Sequence, residues 1–67
     1  MSPKRMSRVI QVLRESKNMS QRALAKKANV TQSYVAQLES GLKKNPSLPV
    51  LRRLAKALGV PVAELLQ

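Results

Sequence analysis

The stretch SQRALAKKANVTQSYVAQLESG, residues 20–41, decides the fold of this chain. Ser20 and Thr31 are residues of the kind that cap the N-terminus of a helix. Asn29 tolerates the left-handed backbone conformation in which many helices end. The stretch therefore predicts two short helices joined by a turn of about three residues. A turn this short forces the two helices to cross steeply.

The order of small and aliphatic residues in this stretch is its most informative feature. Ala25 is small enough to let two helices touch, a turn follows at Asn29 and Val30, and Val35 and Leu38 then lie at matching depth. This is the pattern of a helix-turn-helix. Other pairs of packed short helices can show the same order, so further residues are needed to decide between the two interpretations.

Capping signals elsewhere predict three more helices. Ser2-Pro3 begins the first, Ser47 caps the fourth, and Gly41 and Gly59 end the third and the fourth. The first helix is expected over about residues 3–16, the helix-turn-helix over about 20–39, the fourth helix over about 48–58 and the fifth over about 61–66. We expect an all-α fold, a compact single domain of five helices covering residues 1–67.

Composition limits how such a domain is stabilised and what it binds. The 67 residues include no cysteine and no histidine, so neither a disulfide nor a Cys/His zinc site can hold the fold. Hydrophobic residues make up 43% of the chain and aromatic residues 1%, so the packing of aliphatic side chains must hold the fold together. The net charge of +10 favours polyanions: nucleic acid first, an anionic membrane surface second, an acidic protein third.

Several classes of protein are disfavoured. With three acidic residues and no histidine or cysteine, the chain offers no nucleophile and base pair, metal cluster or Gly-rich phosphate loop. We therefore expect no enzyme activity, catalytic residue, metal, cofactor or small-molecule substrate. No apolar stretch approaches the ~18 residues that cross a bilayer, and the N-terminus lacks the apolar segment of a signal peptide. A cytoplasmic protein with no membrane partner is expected.

Residues 19–66, MSQRALAKKANVTQSYVAQLESGLKKNPSLPVLRRLAKALGVPVAELL, resemble the Cro/C1-type helix-turn-helix domain of phage repressors and related bacterial regulators. The segment TQSYVAQLESG looks closest to the recognition segment of a lambdoid phage repressor. The resemblance covers nearly the whole chain, from about Val9 to Leu66. It implies a lambda-repressor-like fold that binds duplex DNA with its third helix in the major groove.

The recognition segment, Thr31 to Gly41, contains no lysine or arginine. Glutamine can bond adenine at two points, whereas lysine mostly adds attraction that is blind to sequence. In the family, bases are read from the first two positions of this helix and from five beyond the first. The resemblance thus makes base readers of Gln32, Ser33 and Gln37, and Ala36 between them could touch a thymine methyl. The alternative is that these are ordinary solvated helix residues.

Positive charge flanks this segment. Lys26 and Lys27 precede it and Lys43 and Lys44 follow it, so they are expected to straddle the DNA backbone. Each of them could instead be only a solubilising charge. The resemblance adds Asn45 to a phosphate-gripping loop with Lys43 and Lys44. It also makes Gln21 a phosphate contact that can brace the first glutamine of the third helix.

Other polar residues are open to more than one interpretation. Tyr34 could contact phosphate, stack on a base or pack on the second helix; stacking is disfavoured because a duplex offers no unpaired base face. The basic residues of the fourth helix are interpreted as solvated charge and those of the N-terminus as either a DNA-contacting arm or an ordinary basic terminus. These two groups are Arg52, Arg53 and Lys56, and Lys4, Arg5 and Arg8.

Glu39 needs a structural explanation, because its charge at the end of the recognition helix opposes both DNA and the helix dipole. The resemblance pairs it with an arginine of the first helix, and Arg14 occupies that place. We expect a partly buried ion pair between them.

Three positions depart from the family pattern: Ala23 lacks the glutamate of a capping box, Pro61 replaces a hydroxyl cap, and Ser47 replaces a basic residue that reaches the minor groove.

A dimer would have to form through the last helices, where Val62, Leu65 and Leu66 exceed what one short helix must bury. It would read a pseudo-palindrome with half-sites ~10 bp apart.

The function expected is a DNA-binding transcriptional regulator, a repressor or a controller protein. One alternative is an antitoxin whose main partner is a protein. Another is the DNA-binding part of a longer repressor; Met1 favours a native start.

Overall fold

The computed structural model describes residues 3–43 and 45–66. In this part of the chain the elements are α1 (Pro3–Ser16), α2 (Gln21–Ala28), α3 (Gln32–Ser40), α4 (Leu48–Leu58) and a 3-10 helix (Val62–Leu66). The predicted all-α class is confirmed, since the described residues include no strand. The predicted cap at Ser2 and the predicted phosphate contact at Lys44 lie outside the described residues.

The last element differs from the prediction of a fifth α-helix. The Glu64 N–H donates to the carbonyl of Pro61 at 3.0 Å, three residues earlier, which is the 3-10 pattern. Pro61 has no N–H to give, and a segment of five residues is too short to gain from α-helical cooperativity. The described residues therefore form four α-helices where the sequence predicted five.

Hydroxyl side chains begin α2, α3 and α4, as the capping signals predict. Each cap residue is extended, and its oxygen accepts a hydrogen bond from the backbone N–H three residues on. Each bond satisfies a donor that the first turn of a helix leaves unpaired. The bonds join Ser20 to Ala23 at 2.9 Å, Thr31 to Tyr34 at 3.0 Å and Ser47 to Val50 at 3.4 Å.

The ends of α1, α2 and α4 share one arrangement. A left-handed residue with φ between 56° and 72° follows the helix, and the next residue donates its N–H to the carbonyl five residues earlier. That next residue is aliphatic and packs against the core, as in a Schellman motif. The three pairs are Asn18 and Met19, Asn29 and Val30, and Gly59 and Val60.

The core lies between the helices and fixes how α3 is presented. Leu24 of α2 and Val35 and Leu38 of α3 lose all solvent exposure. Ala25 is also buried, so α2 and α3 approach closely at the position where the sequence has a small residue. Because one side of α3 is committed to this core, its opposite side is left free.

Candidate nucleic-acid interface

The free side of α3 is polar, and the helix contains no basic residue. Gln32 and Ser33 are exposed at its N-terminus, and Ala36 and Gln37 are half-buried one turn later. Residues four apart lie on the same side of a helix, so these four predicted base readers share one surface. We call this surface the amide face. Its carbonyl, amide and hydroxyl groups can donate and accept hydrogen bonds without adding charge.

Exposed basic side chains lie on α2, before α3 in the chain, and in the loop that follows α3. Lys26 and Lys27 are exposed on α2, and Lys43 and Asn45 are exposed beyond α3. A shallow depression of about 370 Å³ joins Lys26 to Gln32 and is also lined by Arg22. Arg22 and Lys26 of α2 therefore border the amide face at Gln32, whereas Lys27 lines a different depression, together with Arg53 and Lys56 of α4. Charges in this position attract phosphate without obstructing contact with bases.

Tyr34 combines packing with a position beside two cations. Its ring is half-buried against the core, and burial raises the pKa of its phenol above the ordinary tyrosine value, with the nearby Arg53 opposing the shift. The Lys43 Nζ lies 5.8 Å from the ring centroid, within the range of a cation–π interaction. The ring therefore packs against the core, although not on the second helix in particular, and the basic surroundings suit a phosphate contact.

Arg14 and Glu39 form a bidentate ion pair between α1 and α3. Arg14 Nε and Nη2 donate to the two carboxylate oxygens of Glu39 at 2.6 and 3.0 Å, and the two side chains are 11% and 5% exposed. The third guanidinium nitrogen donates to the carbonyl of Met19 at 2.7 Å. Hydrogen bonding to Glu39 raises the pKa of Arg14, and burial opposes it. This pair sets the position of α3 relative to α1 and the loop before α2.

Gln21 joins the same cluster. Its side-chain amide Nε2 donates to Glu39 Oε1 at 3.0 Å, so the glutamine at the start of α2 contacts the end of α3. The resemblance had implied that Gln21 braces Gln32, the first glutamine of α3; the hydrogen bond in the structure goes to Glu39 instead. The other amide hydrogen and the amide oxygen of Gln21 keep their capacity to bond a phosphate or a water.

Two arginines outside the predicted site have positions that the sequence analysis missed. Arg53 was interpreted as solvated charge, but its Nε donates to the carbonyl of Ala28 at 3.0 Å and so satisfies the last residue of α2. Arg22 was given no role, yet it lines the depression beside Gln32. The four-residue spacing from Arg22 to Lys26 places both on one side of α2 and could have revealed it.

The three predicted dimer residues are distributed unequally between the core and the surface. Leu65 is 0% exposed and belongs to the core of its own chain, so it offers nothing to a second copy. Val62 is half-buried against the same core. Leu66 is 47% exposed and is the member of this group that faces solvent. The prediction that all three form a dimer contact is therefore reduced to Leu66 and the edge of Val62.

Among residues 3–43 and 45–66, no three His, Cys, Asp or Glu side chains are grouped so that they could hold a metal ion. In the same part of the chain, no helix has both the length and the apolar character needed to cross a bilayer.

The capped α2 and α3, the three-residue turn between them and the outward amide face of α3 define a helix-turn-helix protein. The helix-turn-helix family HTH_3 matches residues 10–65, which is most of the sequence. The chain belongs to this family, and the predicted Cro/C1-type resemblance is confirmed.

Similar proteins include a phage immunity repressor and bacterial transcriptional regulators. The chain is 41% identical over 54 residues to the immunity repressor protein of Bacillus phage phi105, covering 81% of this chain but 37% of that protein. The chain thus spans little more than a third of that relative's length.

Among solved structures, the restriction-modification controller protein C.AhdI from Aeromonas hydrophila is similar in fold. It has a TM-score of 0.90 and 33% identity, and the alignment covers 94% of each chain. The biofilm master regulator SinR, solved in complex with DNA, has a TM-score of 0.89 and 35% identity over 92% of this chain and 98% of that one. These proteins share the arrangement of helices that supports the amide face.

Proposed function

We propose that this chain is a sequence-specific, double-stranded DNA-binding transcriptional regulator, a repressor or a controller protein acting in the cytoplasm of a prokaryotic cell. The observation that carries the proposal is the amide face of α3, uncharged and outward-facing in a chain of net charge +10. The names of its relatives support it: a phage immunity repressor, a restriction-modification controller and a regulator solved with DNA.

In this proposal α3 lies in the major groove and the amide face reads base edges. Gln32 and Gln37 each present a donor and an acceptor, which matches the N6 and N7 edge of adenine. Ser33 can bond several base edges, and the methyl group of Ala36 suits the C5-methyl of thymine. The family's pattern of reading positions falls on Gln32, Ser33 and Gln37. Ala36 shares their side of α3, which supports adding it to the assignment.

The surrounding polar groups would hold the DNA backbone. Lys26 and Lys27 on α2 would lie on one side of the groove, with Gln21 and the backbone N–H groups at the start of α2 facing a phosphate. Lys43, Lys44 and Asn45 would lie on the other side, and Tyr34 would add its hydroxyl to that group. These contacts orient α3 but carry no sequence information.

A homodimer would place two α3 helices on successive turns of one duplex face. Its half-sites would lie about 10 bp apart in a pseudo-palindrome. Leu66 and the edge of Val62 are the candidate contacts, because they are the exposed part of the apolar group at the end of the chain.

Selection of binders from a random duplex library at near-physiological salt tests the proposal. Purely electrostatic binding is weak under those conditions, so enrichment requires base contacts. We expect a pseudo-palindromic operator to be recovered. A variant with Gln32, Ser33 and Gln37 all changed to alanine serves as the control, because it keeps the net charge and should recover no consensus. Recovery of no consensus by the unaltered chain would refute sequence-specific binding.

A further inference from the structure

A depression between α2 and α4 gathers positive charge outside the amide face. It has a volume of about 380 Å³ and is formed by the end of α2, the turn that follows and α4. No residue of α3 lines it. We call this depression the α2–α4 recess. Three of the described residues that line it are basic and none is acidic; these residues are Lys27, Ala28, Asn29, Arg53, Lys56 and Ala57.

The α2–α4 recess has small side chains at its base and charged side chains at its mouth. Ala28 and Ala57 are buried, at 1% and 7% exposed, whereas the three basic residues are exposed. Because alanine has a small side chain, space is left between α2 and α4 that larger residues would fill. The recess can therefore admit a side chain of a partner molecule, and that side chain would be surrounded by cations.

Arg53 is the cation of the recess that the fold holds in place. Its Nε donates to the carbonyl of Ala28 at 3.0 Å. Within the described part of the chain, its Nη1 and Nη2 make no hydrogen bond or ion pair. These two nitrogens can present a pair of N–H donors that matches the two oxygens of a carboxylate. Because the side chain is already held at Nε, it loses less conformational entropy when such a group binds.

A second depression adjoins the recess and has an apolar part. It has a volume of about 440 Å³ and is lined by Met19, Ala23, Lys26 and Lys27, so Lys27 borders both depressions. Ala23 is exposed and Met19 is half-buried. A methionine adapts to the shape of an apolar group, and the aliphatic parts of the lysines can cover it. The surface thus combines an apolar contact with a cationic recess beside it.

We propose that the two depressions form a docking surface for an acidic segment of a partner protein, in which carboxylates stand beside an apolar side chain. The carboxylates pair with Arg53 and Lys56, and the apolar side chain contacts Met19. Charge complementarity decides the choice of partner, because cations line the recess without an acidic residue among them. This inference goes beyond the proposed function, since it assigns a protein partner to a surface that the amide face does not include.

DNA is the competing ligand for these cations, because Arg53 lies near enough to Tyr34 to oppose the rise in the pKa of its phenol. Two features favour a protein segment. A phosphate makes no use of the apolar surface at Met19 and Ala23, and a recess with alanines at its base suits the methylene groups of a glutamate. Lys27 lies where the proposed DNA contacts and the docking surface meet, so the test relies on α4.

Binding of a labelled peptide to the protein–operator complex tests the docking surface. The probe is a fluorescein-labelled peptide with glutamates on both sides of a leucine, and its matched control has glutamine in place of every glutamate. The bound operator covers the cations that face DNA, so the peptide must use those that remain free. By fluorescence anisotropy we expect the glutamate peptide to bind the complex and the glutamine peptide not to bind. Replacement of the leucine by serine should weaken binding, because the contact with Met19 is lost.

Lys56→Glu and Arg52→Glu form a matched pair of variants. Each reverses one exposed charge of α4, but only Lys56 lines the recess. We expect Lys56→Glu to weaken binding of the glutamate peptide about tenfold, the effect of one hydrogen bond to a charged group. Arg52→Glu should change it by less than about twofold, as for an exposed charge without a partner. Thermal unfolding checks that both variants are folded.

Three results would overturn the proposal. If the glutamate peptide binds neither the complex nor the free chain, the surface does not take an acidic segment. If the operator displaces the peptide, the recess belongs to the DNA-binding surface. If Lys56→Glu and Arg52→Glu weaken binding equally, the peptide responds to net charge and not to the recess. Titration of the free chain needs no operator, so a failure of the proposed function can be told apart from a failure of this inference.

Discussion

Single side chains divide into those that can read sequence and those that can only attract DNA. Gln32 offers a donor and an acceptor on an uncharged amide and is exposed at the start of α3. Lys43 offers a point charge, exposed in the loop after α3. An amide can tell one base edge from another through its donor and acceptor. A charge attracts phosphates, which are the same in every sequence. Substitutions of the two residues should therefore differ in kind and not only in size.

Gln32→Ala should remove discrimination at one position in each half-site, by about 1 to 3 kcal/mol. Lys43→Ala should weaken binding to all duplexes alike and reduce the slope of log K against log salt by about 1. Titrations of operator and random duplexes over a range of salt concentrations measure both effects. Each variant is the control for the other. Equal losses on operator and random DNA for Gln32→Ala would show that Gln32 does not read a base.

Tyr34 can be followed alone, because the chain has one tyrosine and no tryptophan. Burial raises the pKa of its phenol, so the neutral form is favoured by folding. This contribution to stability is full below the unfolded pKa of about 10 and is lost as the pH rises through the higher folded value. Absorbance of tyrosinate should show a midpoint above the ordinary value in the native protein and a return to it in urea. An unshifted native midpoint would contradict the packing of the ring.

Pairs of elements are held by contacts that join distant parts of the sequence. Glu39 at the end of α3 accepts from Arg14 of α1 and from Gln21 of α2, so one carboxylate fixes three helices. Arg53 of α4 adds a contact with the last carbonyl of α2. These bonds hold α3 at a defined angle to the helices that support it, as the proposed reading of bases would require.

Glu39→Ala should destabilise the fold by about 3 kcal/mol, because it leaves a largely buried guanidinium without its carboxylate. Arg14→Met should destabilise the fold by a similar amount, because it leaves the buried carboxylate of Glu39 without its guanidinium. The double variant should lose less stability than the sum of the two single losses, since neither charge is then left unpaired. Urea unfolding of the four proteins at neutral pH measures the coupling. Additive losses would mean that the ion pair contributes nothing beyond its separate residues.

The turn between α2 and α3 provides a second test at this scale. Asn29 adopts a left-handed conformation, with φ 58°, that alanine tolerates poorly and glycine tolerates well. Asn29→Ala should destabilise the protein by about 1 kcal/mol, while Asn29→Gly should be close to neutral. Thermal or urea unfolding compares them. If alanine were tolerated as well as glycine, the left-handed turn would not be required.

The molecule as a whole combines a small aliphatic core with an excess of positive charge. Thirteen basic and three acidic residues keep it attracted to polyanions, whereas the core of leucine, valine, isoleucine and alanine side chains, with Met6, maintains the fold. Two adjacent leucines near the end of the described chain differ in environment, since Leu65 completes the core and Leu66 faces solvent. Substitutions at these two positions can therefore test the stability of the protomer and the proposed dimer separately.

Leu65→Ala should cost about 2 to 5 kcal/mol, the range for truncating a buried leucine. Leu66→Ala should change the stability of the protomer by no more than about 0.5 kcal/mol. If the proposed dimer uses this surface, Leu66→Ala should weaken self-association and binding to the full operator while leaving half-site binding intact. Sedimentation and titration against full and half operators measure these effects. Unchanged self-association in Leu66→Ala would place any dimer contact elsewhere.

The sequence alone was sufficient for features that depend on a few neighbouring residues. Ser20, Thr31 and Ser47 could be identified as helix caps, and Asn29 as a left-handed turn, because each needs only the backbone within three or four positions. The all-α class followed from the same local signals. The Cro/C1-type resemblance added the assignment of base-reading positions, which stays a prediction.

Only the tertiary structure decided the contacts between residues far apart in the chain. Gln21 bonds Glu39 across 18 residues and Arg53 bonds Ala28 across 25, and no local pattern specifies either. The burial of Leu65 and the exposure of Leu42 likewise depend on where the packed helices bring each side chain. Spacing along a helix fixes which side a residue occupies, but the arrangement of the other helices determines whether that side meets the core, a partner side chain or solvent.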